Sequence, residues 1–256
     1  MAQCEETEQF NGAVVEITNK LASLIQSKLS EDDPRDEAIK ETLTQCAAFL
    51  GDEFQQFMPL LLEQLIVDAK LDLDFKMTSV DETQDSNNTS MRVKVKGFGE
   101  QNVSMNTDAL VRKASAFSVL AQISDRMGKS FAPYVEPLLP IVREHVAYDY
   151  NKKIRSFALK ILNSMLISVG EPNNIQIFQD SVPIFFQQLE KSLTRKDEKV
   201  TKVLIKGLAN CLRTLNRTND QVRNFLTADQ IASLGPYIKS TLDLVKELKN
   251  AHNVIL

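Results

Sequence analysis

With 256 residues, 43% of them hydrophobic and 25% charged, the chain holds enough apolar material for a substantial core. Its formal net charge of -4 argues against a general nucleic-acid binder, which presents a basic face. Cys4, Cys46 and Cys211 are far apart, odd in number and without a CxxC pair, which argues against a zinc site or disulfide framework and for reduced thiols in a cytosolic or nuclear compartment.

The first predicted helix covers residues 10–29, where Phe10, Val14, Ile17, Leu21, Leu24, Ile25 and Leu29 recur at helical spacing as one inward stripe. Asp32-Asp33-Pro34 ends it, because proline cannot continue a helix interior. A second helix is predicted over 36–50, with Ile39, Leu43, Ala47 and Leu50 inward and Gly51 closing it. A third runs over 54–70 with Phe54, Phe57, Leu61, Leu65 and Ala69 inward.

The helical period then fails across residues 71–106. Leu71, Leu73, Phe75 and Met77 alternate with Asp72, Asp74 and Lys76, and Val93 and Val95 alternate with Arg92, Lys94 and Lys96. That is the period of strands. The polar stretch 79–90 between them carries Asp81, Glu82 and Asp85 and has the composition of an unstructured loop. The segment reads as an acidic insertion, a loose hairpin with a disordered tip. Helical periodicity resumes over 108–127, 131–148, 151–169, 173–195, 197–217 and 229–250, with short breaks that make neighbouring helices antiparallel.

A recurring proline sets a register: Met58-Pro59-Leu60-Leu61, Glu136-Pro137-Leu138-Leu139, Val182-Pro183-Ile184-Phe185 and Gly235-Pro236-Tyr237-Ile238. Successive prolines lie 78, 46 and 53 residues apart, and the first interval falls to 42 once the 36-residue insertion is set aside. A period of about 40–50 residues with two helices per unit is the signature of HEAT-type solenoids. The expected fold is therefore all-α, one HEAT-repeat α-solenoid over 1–256, a right-handed superhelix of antiparallel helix pairs with one long insertion. The proline is expected to kink the first helix of each pair. Leu110-Val111-Arg112-Lys113-Ala114 and Lys153-Ile154-Arg155-Ser156-Phe157-Ala158 open second helices with an aliphatic residue, an arginine able to ladder to an aspartate nearby and a small residue. Only half a repeat follows residue 229, so the solenoid is expected to be a piece of something longer.

Phe49-Leu50-Gly51-Asp52-Glu53-Phe54-Gln55-Gln56-Phe57-Met58-Pro59 resembles a stretch of the karyopherin-β (importin-β) superfamily, in particular its importin beta-three branch. An acidic insertion followed by a helix like Asn106-Thr107-Asp108-Ala109-Leu110-Val111-Arg112 is similar to the same branch, and 131–169 continue the likeness. The resemblance implies a segment from the latter half of a nuclear import receptor, cytoplasmic and nuclear. Its implied partners are cargo with a basic localisation signal, the Ran GTPase and nucleoporins. Two other HEAT classes fit less well: phosphatase scaffold subunits lack a long insertion, and tubulin-binding modules read their ligand with a loop tryptophan, absent here.

Nothing catalytic is expected, and neither a cofactor nor a metal. His145 and His252 have no HExxH or nucleophile partner, and there is no GxGxxG or GxxxxGK[ST]. Cys46 and Cys211 fall in apolar stripes, as buried small hydrophobes. No apolar run reaches the roughly 18 residues of a membrane span. One surface is a candidate partner site: Lys199, Lys202, Lys206, Asn210, Arg213 and Arg217 step by three and four along one face of the 197–217 helix. A basic ladder there suits an acidic patch on cargo or Ran; a solvated helix face accounts for the same pattern. Asp81, Glu82 and Asp85 are the counterpart candidates for a basic signal, with a solvated loop as the alternative.

Overall fold

Helix α1 (Ala2–Gln26) opens the chain and is followed by α2 (Arg35–Leu50) and, after a seven-residue 3-10 segment, by α3 (Met58–Lys70). The computed structural model describes residues 2–26, 33, 35–73, 76–79, 88–95, 99–218 and 225–239. The chain divides within α4 (Thr107–Met127) into two units, 1–120 and 121–256.

In the first unit α1 packs on α2 and on α3. The inward residues of α2, the 3-10 segment and α3 are those the periodicity marked: Ile39, Leu43, Ala47 and Leu50, then Phe54 and Phe57, then Leu61, Leu65 and Ala69 are all buried. The stripe on α1 is displaced. Val14, Thr18, Ala22 and Ile25 are buried, whereas Phe10, Ile17 and Leu24 are exposed. Thr18 is tolerated inside because its hydroxyl donates to the Val14 carbonyl at 2.7 Å. Phe10 instead meets exposed Phe49 edge-on, with ring centroids 5.6 Å apart.

The insertion is a three-stranded antiparallel sheet: β1 (Lys76–Ser79), β2 (Asn88–Val95) and β3 (Gly99–Asn106), in the order β1-β3-β2. The expected hairpin between the two alternating stretches is corrected by this topology. Both strands pair with β3, Met77 opposite Val103 and Met91 opposite the same residue, and not with each other. Strand β3 has few branched or aromatic residues, so propensity alone passed over it; cross-strand pairing supplies its backbone partners. Its last residue is tied to the helical body, with Asn106 N donating to the Leu73 carbonyl at 3.0 Å and its side chain accepting from Ala109 N at 2.9 Å. Residues 80–87, with Asp81, Glu82 and Asp85, lie outside the described residues.

The second unit contains α5 (Val135–Val146), α6 (Lys152–Val169), α7 (Asn173–Thr194), α8 (Glu198–Thr218) and the short α9 (Ala228–Ser233). Helix α5 packs on α6 and α7 on α8, while α5 also meets α7 and α6 meets α8. First helices therefore stack on first helices and second on second, in two layers. Between them lie Phe131, Leu138, Val142, Ile154, Leu162, Phe178, Phe185, Leu204 and Leu215, each at most 1% exposed.

The proline register has a different structural meaning from a kink in two repeats. Pro59 occupies the first turn of α3, and Pro137 the first turn of α5. There proline's missing N–H costs nothing, because first-turn N–H groups have no helical acceptor. Each of these helices follows a 3-10 segment, Gly51–Phe57 or Gly128–Tyr134, opened by a glycine at φ +52 that L side chains rarely adopt. Pro183 does lie inside α7, and residues 235–239 around Pro236 are helical.

Candidate protein-interaction site

The outward face of α8 follows from the faces it buries. Thr201, Leu204, Gly207, Leu208, Cys211, Thr214 and Leu215 are buried. Gly207 is the point of closest approach to α6: a Cβ there would stand 2.8 Å from Leu159 Cδ2. Further along, Thr214 Oγ1 donates to Asn163 Oδ1 at 2.7 Å. With that side turned to α6 and the core, Lys199, Lys202, Lys206, Arg213 and Arg217 are exposed on the opposite side. Asn210 is half-buried and acts as a tether, its Oδ1 accepting from Arg213 Nη1 at 2.7 Å.

The neighbouring helix continues this surface. Lys153 and Lys160 of α6 are exposed, and the Lys160 ammonium sits 5.6 Å from the Phe157 ring centroid. Both escaped the sequence reading because their helix lacks an uninterrupted charged stripe. The signal lay in composition instead: Lys152–Val169 contains four cationic and no anionic side chains.

A second group of charges is turned inward. Arg155 is 2% exposed and donates to Asp149 at 2.8 Å, and Asp149 also accepts from Arg195, just past the end of α7, at 2.9 Å. Burial draws the Arg155 guanidinium below its usual range, and Asp149 offsets part of that. In the first unit Asp68 does the equivalent work, accepting from Arg112 at 2.7 Å, Lys40 at 3.2 Å and Gln64 at 3.1 Å. The arginines expected to ladder, Arg112 and Arg155, thus both reach an aspartate. These are ties between helices, not a binding surface.

Other candidates resolve as packing. His145 is 1% exposed, with Nδ1 2.8 Å from the Ile141 carbonyl and its ring stacked on Tyr148. Cys46 and Cys211 are buried free thiols, and burial pushes the Cys211 thiol up to about 12. His252 lies outside the described residues. Among the described residues no group of His, Cys, Asp or Glu could hold a metal ion.

A family model described as IPO5-like, TPR repeats, matches residues 102–225. Importin subunit beta-3 of Saccharomyces cerevisiae is 20% identical over 254 residues, covering 96% of this chain. Crystal structures of Kap121p superpose on 95% of the chain at 18% identity, with TM-scores of 0.75 for the RanGTP complex, 0.74 for the Nup53p complex and 0.71 for the Pho4p complex. The chain is similar to karyopherin-β proteins over nearly its whole length. Its fold is the all-α HEAT-repeat solenoid of those structures, carrying one inserted sheet. The chain spans 22% of the length of the yeast relative and 23% of each of those three Kap121p chains.

Proposed function

We propose that this chain is a protein-binding segment of an importin-β-type nuclear transport receptor, engaging cargo, Ran-GTP or both during nuclear protein import. The observation that carries this reading is the likeness, over 95% of the chain, to a solenoid solved in complex with Pho4p, Nup53p and RanGTP. On this reading the partners are cargo with a basic localisation signal, Ran and nucleoporins, and the protein works in cytoplasm and nucleus by binding rather than by catalysis. Two layers of stacked helices suit the task, because each repeat contacts only its neighbours and leaves long faces free for partners. Asp81, Glu82 and Asp85 are the residues assigned to a basic signal, and the α8 face is assigned to acidic surface.

Capture of Ran by the immobilised chain tests the reading. Retention of Ran in its GTP state over its GDP state is expected. Equal retention of the two forms, or capture of a phosphatase catalytic subunit or tubulin in place of Ran, overturns it.

A further inference from the structure

We infer that the outer faces of α6 and α8 together form a docking strip for an extended acidic segment of a partner protein. This deepens the protein-binding reading above and rests on it. Helix α6 carries no acidic residue, and α8 carries five cationic residues against Glu198 alone, in a chain whose net charge is -4. Positive charge is therefore gathered onto one pair of adjacent helices.

The two helices are held in register. Gly207 lies against Leu159 and Thr214 bonds Asn163, so both helices advance in the same direction, with Lys160 close to the level of Lys206. Exposed Lys153 and Lys160 form one column, and exposed Lys199, Lys202, Lys206 and Arg213 the other. At a rise of about 1.5 Å per residue, Lys199, Lys202 and Lys206 follow one another at about 5–6 Å, while Lys153 and Lys160, like Lys206 and Arg213, stand about 10 Å apart. Packed helices lie about 8–10 Å apart. An extended peptide presents alternate side chains about 7 Å apart on one side, so successive carboxylates can meet successive ammonium groups.

Several cations near the strip are held in ion pairs within the chain. Arg112, Arg143, Arg155 and Arg195 reach Asp68, Asp180, Asp149 and Asp149 at 2.7–3.4 Å, and Lys152 lies 3.7 Å from Asp197. No such carboxylate pairs with Lys153, Lys160, Lys199, Lys202 or Lys206 among the described residues. Gathered like charges repel one another, and that repulsion is relieved when a polyanion lies along them. Carboxylates suit the strip better than nucleotides. The one aromatic ring on it, Phe157, is covered by Lys160 and offers no free platform for stacking a base.

Fluorescence anisotropy of the full chain tests this with a labelled peptide of alternating Glu and Ala, about twelve residues long. Comparison probes are a Lys-Ala peptide of equal length and single-stranded oligo(U) of equal charge. The Glu peptide is expected to bind, with affinity falling as salt rises from about 50 to about 200 mM. Lys202→Glu with Lys206→Glu is expected to weaken binding by about tenfold or more, a change of about 1.4 kcal/mol or more. The same charge change elsewhere, Lys129→Glu with Lys239→Glu, is expected to have little effect; far-UV circular dichroism checks that both variants fold. No binding of the Glu peptide, equal weakening by the two variants, or tighter binding of oligo(U) overturns the strip. If Ran-GTP is still captured when the Glu peptide is not, the strip fails while the receptor reading stands. Binding of the Glu peptide without selective Ran capture supports the strip and removes the receptor reading.

Discussion

Asp68 offers the sharpest test of how the first unit is held together. Its side chain on α3 is 2% exposed and accepts from Lys40 of α2, which is 3% exposed, and from Arg112 of α4, which is 24% exposed. Asp68→Ala would remove the buried carboxylate that these two cations share. Removing one partner of a buried pair costs about 3–5 kcal/mol, because the charge left behind is no longer compensated. Lys40 keeps Asp36 at 2.6 Å and Arg112 can reach solvent, so the lower end, about 3 kcal/mol, is expected. With a urea slope of about 2–3 kcal/mol per molar, the transition followed by circular dichroism should fall by roughly 1 M. Hydrogen exchange should quicken in α2, α3 and the start of α4. Lys40→Met with Asp68→Leu should recover much of the loss, since apolar replacement of a buried pair is often nearly neutral. Glu16→Ala, which breaks the exposed 2.6 Å pair with Lys20, serves as the contrast and should leave the transition where it was. If Asp68→Ala shifts stability by less than about 0.5 kcal/mol, the size of an exposed pair, the network does not hold these helices.

Two further outcomes concern the second unit. The Cys211 thiol is raised to about 12 by burial, so the folded state holds its proton where the unfolded chain loses it. That stability is complete below the unfolded value near 9 and should fall by about 1.4 kcal/mol per pH unit up to about 12; Cys211→Ala should remove that part of the slope in alkaline unfolding curves. Asn151 caps α6, its Oδ1 accepting from Lys153 N at 2.8 Å and Ile154 N at 3.3 Å. Asn151→Ala should therefore cost about 1 kcal/mol in thermal or urea unfolding, and Asn151→Asp should retain most of the stability.

The elements of this fold were legible where local signals agree. Apolar residues at 3.6-residue spacing with Gly51, Gly128 and Gly170 as stops place α2, α4, α6, α7 and α8 to within a residue, because a helix satisfies its backbone within one segment, whereas α3 and α5 begin later than expected, after their 3-10 segments. The α1 stripe was read less well, since Phe10, Ile17 and Leu24 are apolar yet exposed while Thr18 is inside. Hydrophobicity alone cannot separate two adjacent faces when both carry apolar residues. Strand β3 was missed for the complementary reason: its own residue types carry little strand signal, and its backbone bonds are supplied by β1 and β2.

The candidate surface divides along the same line. The stepwise lysines of α8 are a local pattern and needed no neighbour to be seen. That Lys153 and Lys160 join them depends on Gly207 admitting Leu159, a contact between residues 48 apart. The roles of the acidic residues likewise came from tertiary structure: Asp68 and Asp149 collect cations from separate helices, while Asp33 pairs with Arg35 two residues away. Helical period, repeat spacing and the HEAT character were determined by the sequence alone, because they arise from interactions within a turn or two of chain. Which charges tie helices together and which face outward was decided only when the helices packed, since burial and pairing belong to neighbours in space.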